Sequence, residues 1–91
     1  MYREQVTVQN KSGLHARPAS TFVSRATQFQ SRITIRNVED PEPVNAKSII
    51  LLLSTSLSKG TRVEIAAEGP DENEAVVTLV ELIKSGLGED L

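Results

Sequence analysis

The chain holds one histidine in 91 residues, His15, within the run Gly13-Leu14-His15-Ala16-Arg17-Pro18-Ala19-Ser20. A free imidazole titrates near neutral pH, so much of it is unprotonated and nucleophilic in ordinary solution. Arg17, two residues on, carries a permanent charge and can grip phosphate oxygens through two parallel N–H donors. Pro18 is tolerated only in the first turn of a helix, where its missing N–H has no partner to lose. The helix therefore begins near residue 16, with His15 at its cap. A helix N-terminus presents unpaired N–H groups and partial positive charge, which makes it an anion site. Nucleophile, fixed cation and the backbone N–H groups of Ala16 and Arg17 together suit a phosphoryl group accepted on the ring and passed on. Such a site must not hold the group too tightly, or onward transfer stalls. The plain alternative is a capping or surface histidine. A metal site lacks a second His and any Cys, and no ordered signature places a Ser and an Asp beside His15 for hydrolase chemistry.

The elements that must position these residues follow from periodicity. Residues 4–8 alternate polar and apolar, a half-buried strand. Asn10-Lys11-Ser12-Gly13 is turn chemistry, with Gly13 free to take positive φ. Ala19, Phe22, Val23 and Ala26 share one face of the helix that follows. Arg32 to Arg36 alternates again, with Ile33 and Ile35 on one side and Arg32 and Arg36 on exposed positions. Asn37 to Pro43, with two prolines and three acids, reads as an exposed loop ending in a short strand around Val44. Ile49 to Leu53 is too short an apolar run to assign by period; Asn45 or Ser48 can cap a short helix there, and Ser54-Thr55-Ser56 can end it. Lys59-Gly60 is a turn, and Thr61 to Ala67 a strand with Val63, Ile65 and Ala67 inward. Gly69-Pro70-Asp71-Glu72 opens the last helix with acids in its first turn, its stripe runs from Ala75 to Ile83, and Gly86 can close it. The order β-α-β-β-α-β-α, with single-striped helices beside alternating strands, predicts an α+β open-faced β-sandwich: three helices on one face of a four-stranded antiparallel sheet. One domain spanning 1–91 is the expectation for this length.

Composition removes several function classes. A net charge of −2, with two Phe, one Tyr and no Trp, offers neither a basic face nor base-stacking platforms for nucleic acid. With no cysteine there are no disulfides, thiol catalysis or thiolate metal sites. No apolar run spans a bilayer and no signal peptide is visible, so a cytoplasmic protein without membrane insertion is expected. The acids of Glu39-Asp40-Pro41-Glu42 and Glu89-Asp90 read as solvated surface and tail.

Gly13-Leu14-His15-Ala16-Arg17-Pro18-Ala19 resembles the active-site signature of the HPr family, the histidine-containing phosphocarriers of the phosphoenolpyruvate:sugar phosphotransferase system. Asn45-Ala46-Lys47-Ser48-Ile49 resembles that family's serine segment, and Gly60 and Glu68-Gly69-Pro70-Asp71-Glu72 extend the likeness over essentially the whole chain. The resemblance implies sheet order 1-4-2-3. It implies that His15, through Nδ1, accepts a phosphoryl group from enzyme I and donates it to sugar-specific IIA proteins, with Arg17 positioning the phosphate and no cofactor. It describes a stoichiometric relay, expected to act as a monomer, in place of a turnover enzyme. It makes Leu14, Ser20, Lys47, Ile49, Ile50 and Leu53 candidate docking residues, and Ser48 a candidate for regulatory phosphorylation by a serine kinase, reversed by a phosphorylase. Ser48 is equally an ordinary N-cap. The other reading is a regulatory module that acts through Ser48 on a kinase or transcriptional regulator; retention of His15 speaks against a purely regulatory form. The chain departs from the family pattern in a loop at Asn37–Pro43 about two residues longer than usual. It also has Leu51 where Gly or Lys is common, Ser56 where Gly is common, and Ser24 and Thr27 in place of lysines. Arg25 and Lys47 are the cations left to steer an acidic partner. Ile49 to Leu53 cannot all face inward from one short helix, so they form either an exposed docking patch or part of a longer buried stretch.

Overall fold

The computed structural model describes residues 1–89. The elements run β1 Tyr2–Thr7, α1 Ala16–Ala26, β2 Arg32–Asn37, β3 Val44–Asn45, α2 Ile49–Leu53, β4 Arg62–Glu68 and α3 Glu72–Lys84. They form one antiparallel sheet in the order β1-β4-β2-β3, as the α+β open-faced sandwich requires. β4 lies between β1 and β2, pairing Val6 with Val63 on one side and Ile35 with Ile65 on the other. Alternation then sends Val6, Ile33, Ile35, Val63, Ile65 and Ala67 to one side of the sheet, where they are buried. The helices cover that side with Ala19, Phe22 and Ala26 of α1, Leu52 of α2, and Ala75, Val76, Leu79, Val80 and Ile83 of α3. Arg3, Thr34, Glu64 and Ala66 share the opposite, open side of the sheet through the β1-β4-β2 register.

Helix α3 ends in a paired closure. Gly86, at φ +91°, donates its N–H to Ile83 O, and Leu87 donates to Leu82 O, while the Leu87 side chain is buried. This arrangement satisfies the last carbonyls and seals the helix end with an apolar contact. At its start, Asp71 is the cap residue, but its carboxylate bonds across the molecule rather than to its own helix. It accepts from Gln30 N–H at 2.9 Å, Ser31 N–H at 3.0 Å and Ser31 Oγ at 2.5 Å, pinning the α1–β2 connection to α3.

The loop Asn37–Pro43 is exposed over most of its length, as expected. Arg36 is not the simple exposed strand residue its alternation predicts. Its Nε donates to Glu64 Oε1 at 3.2 Å, and its Nη1 reaches the carbonyls of Asn37, Val38 and Asp40. A single guanidinium with five donors in a planar fork can satisfy several carbonyls of a tight loop at once.

Candidate functional site

Helix α1 begins where the sequence places it, with His15 as its N-cap. His15 is extended, at φ −133° and ψ 164°, its imidazole makes no capping hydrogen bond, and the residue is half-buried. Ala16 and Arg17 are exposed beside it, and no acid occupies the first turn of α1. The positive end of the helix is therefore uncompensated, and Arg17 adds a full charge. Ala16 has φ +52°, so the chain turns through left-handed backbone immediately after the histidine, a conformation that costs an L-residue roughly 1–2 kcal/mol.

Two residues before His15, glycine is required twice over. Gly13 has φ +67°, and a Cβ there would lie 2.6 Å from Leu57 O and 2.8 Å from Ser58 Cα. The close approach lets Leu14 N–H donate to Leu57 O at 2.8 Å. The site is thus built by two segments: the turn ahead of α1 and the Leu57–Gly60 connection into β4. The arrangement offers a ring nitrogen, a permanent cation and a positive helix end to an incoming tetrahedral anion.

Helix α2 carries the serine segment. Ser48 is its N-cap, with Oγ accepting from Leu51 N–H at 3.2 Å. Asn45, the other candidate cap, instead closes the preceding turn, its Oδ1 accepting from Lys47 N–H at 2.9 Å. Leu52 is fully buried, whereas Ile49, Ile50, Leu51 and Leu53 are exposed, Ile50 to 78 %. The longer buried stretch is ruled out, and an aliphatic patch stands on the surface next to α1, against which α2 packs.

The family described as PTS HPr component phosphorylation site matches residues 2–85. The chain belongs to the HPr family of phosphocarriers. It is similar to phosphocarrier protein HPr of Borreliella burgdorferi, 42 % identical over 85 residues, which span 93 % of this chain and 96 % of that protein. The crystal structure of HPr-C-His from Thermoanaerobacter tengcongensis matches with a TM-score of 0.94 and 46 % identity over the full length of both chains. Crh of Bacillus subtilis, in a crystal structure described as a dimer with a swapping domain, matches with a TM-score of 0.73 and 41 % identity over 100 % of this chain and 99 % of that one. Against the multiphosphoryl transfer protein of Haemophilus influenzae, 37 % identical, the chain spans only 17 % of the relative's length. The dimeric relative means that the monomer expectation does not hold across the family.

Against the HPr pattern, two of the docking residues need correction. Leu14 is fully buried in the core, because the extended cap turns its side chain inward while His15 points out; its side chain supports the site from below and is not on the surface. Lys47 is half-buried and donates from Nζ to Phe29 O at 2.7 Å, so it ties α1's exit to the serine segment and is not a free steering cation. Arg25 is exposed and, among the described residues, its guanidinium reaches Gln28 alone. Ser20, Ile49, Ile50 and Leu53 are exposed. Ser56 takes φ +54° without the glycine common in HPr chains, so the backbone after α2 keeps a left-handed shape despite the change. Glu89 is also misread as solvated tail. Its carboxylate accepts from Asn10 Nδ2 at 2.9 Å, Ser12 N–H at 3.0 Å and Ser12 Oγ at 2.8 Å, and these bonds, the Asn10 amide first, hold it below the usual carboxylate range. Its neighbour Asp90 lies outside the described residues.

Proposed function

We propose that His15 is the phosphoryl acceptor of this HPr-type phosphocarrier. It takes the group from enzyme I, charged by phosphoenolpyruvate, and gives it to sugar-specific IIA proteins in the cytoplasm. The observation that carries this reading is the half-buried His15 imidazole, uncommitted to capping, at a helix end with Arg17 two residues on and no acid in the first turn. In the forward step a ring nitrogen forms the N–P bond as the bond to the donor's phosphorylated group breaks. In the onward step the imidazole is the leaving group. The helix end and Arg17 stabilise negative charge on the phosphoryl oxygens in both directions. Partners dock over Ser20 and the aliphatic residues Ile49, Ile50 and Leu53, an apolar patch bordered by polar surface of the kind that marks an interaction site.

Incubation with purified enzyme I and labelled phosphoenolpyruvate tests the reading. One acid-labile label per chain is expected, lost in His15→Ala and formed more slowly in Arg17→Ala, whose fold is unchanged. Label that persists in His15→Ala ends the assignment. A second reading concerns Ser48, the half-buried cap of α2. A phosphate there would place about two negative charges at the head of the aliphatic patch and alter which partner docks. Incubation with the serine kinase and ATP, comparing wild type with Ser48→Ala, tests it; equal labelling of the two removes Ser48 as the target.

A further inference from the structure

We propose that Glu89 is a positioning residue for His15, a carboxylate clasp that holds the Asn10–Gly13 turn from which the histidine is presented. The proposal rests on the phosphocarrier reading of His15. The chain after α3 is tightly folded: Leu87 is buried behind the helix closure, and Glu89 N–H donates to Gly86 O at 2.9 Å. That end directs a carboxylate to a turn 79 residues earlier in the chain. Oε1 accepts from Asn10 Nδ2 and from Ser12 N–H, and Oε2 accepts from Ser12 Oγ. The same Asn10 Nδ2 donates to Gly13 O at 2.9 Å, while Gly13 N–H donates to Asn10 O at 3.1 Å. Both Nδ2 hydrogens are therefore used, one within the turn and one on the carboxylate. Asn10 is fully buried and its Oδ1 has no protein partner among the described residues. Without Glu89 the buried amide keeps only its bond to Gly13 O, the situation in which a buried polar group becomes costly.

One residue, Leu14, lies between this turn and the nucleophile. Leu14 anchors the far side, with its side chain in the core and its N–H on Leu57 O. An anchor at one point leaves the chain free to pivot about it. The clasp supplies a second fixed point, and the two together set the direction in which His15 leaves the surface. Three hydrogen bonds gathered on one side chain suit a turn that must not drift. Among the described residues, the bonds Glu89 makes are to the turn or its own closure, with none to His15 or Arg17. Its influence on transfer is one of geometry, where a misplacement of about 1 Å can cost on the order of a hundredfold.

Full-length Glu89→Ala, Glu89→Gln and Ser12→Ala are phosphorylated by enzyme I and phosphoenolpyruvate over a range of chain concentrations. His15 ring nitrogen resonances are recorded on the unphosphorylated proteins. The limiting rate is expected to fall roughly five- to tenfold in Glu89→Ala with KM nearly constant, to recover to within about twofold of wild type in Glu89→Gln, and to lie between in Ser12→Ala. The His15 resonances are expected to shift in the same order. An unchanged rate with unshifted resonances, even with faster amide exchange in the turn, gives Glu89 a merely structural role and overturns the proposal. A rate loss that Glu89→Gln does not restore also overturns it, since charge and not placement would then be the lever. If wild type takes no label, the phosphocarrier reading has failed, and the His15 resonances decide alone. A shift in Glu89→Ala reversed in Glu89→Gln sustains the clasp, and no shift removes it.

Discussion

Three non-glycine residues among those described hold left-handed backbone: Ala16, Ser56 and Leu87. Leu87 is compensated by the burial of its side chain behind α3. Ala16 is exposed, and nothing in its methyl group offsets the conformation. Glycine adopts positive φ without the Cβ clash, at the cost of greater freedom in the unfolded chain. Ala16→Gly is therefore expected to stabilise the protein by up to about 1 kcal/mol, read as a higher denaturant midpoint with an unchanged slope. A lower midpoint would mean that the backbone after His15 is right-handed in solution. Gly13 shows the converse. There the backbone of Leu57 and Ser58 occupies the space a Cβ needs, so the turn before the histidine tolerates no other residue without moving the strand connection.

At the scale of elements, α2 concentrates the balance between stability and recognition. Five residues bury one side chain, Leu52, and expose four aliphatic ones. So short a helix owes little to propensity and much to its ends. Ser48 Oγ satisfies Leu51 N–H, and Ser48→Ala is expected to cost about 1 kcal/mol in unfolding free energy. A loss within error would show that α2 is held by Leu52 alone. The elements themselves were legible because each rests on a local signal: period two in β1, β2 and β4, Pro18 at the start of α1, Gly86 at the end of α3. The histidine cap was legible for the same reason. Leu14 and Lys47 were not. Leu14 lies between two exposed-looking neighbours, and only the extended conformation of the cap sends it inward. Lys47's acceptor is a backbone carbonyl 18 residues away, which no spacing rule reveals. The family likeness supplied sheet order 1-4-2-3, which periodicity alone leaves open.

For the molecule as a whole, the bonds that escaped sequence reasoning are those that close the chain on itself. Asp71 joins α3 to the α1–β2 connection, and Glu89 joins the segment after α3 to the turn before α1. Glu72 accepts from Gly69 N–H and pairs with the amine of Met1 at 3.1 Å. All three carboxyls are held below their usual range: Asp71 chiefly by the Ser31 hydroxyl, Glu72 chiefly by the Gly69 amide, and Glu89 chiefly by the Asn10 amide. A carboxyl whose pKa is depressed by folding contributes its full stability above the unfolded value, about 3.9 for Asp and 4.3 for Glu, and loses it as pH falls through the lower folded value. In this respect stability should be level from pH 7 to about pH 5 and decline below about pH 4. Asp71→Asn isolates one contribution. The amide offers a single acceptor oxygen to Gln30 N–H, Ser31 N–H and Ser31 Oγ, so the variant should be less stable than wild type at pH 7. It no longer titrates, so its deficit should shrink as wild-type Asp71 is protonated. Denaturant midpoints of the two proteins at pH 7, 4 and 3 should therefore converge toward acid. Midpoints that stay parallel would show that the Asp71 carboxylate contributes nothing to folding through its charge, and that any constant deficit reports the lost hydrogen bonds to Gln30 and Ser31.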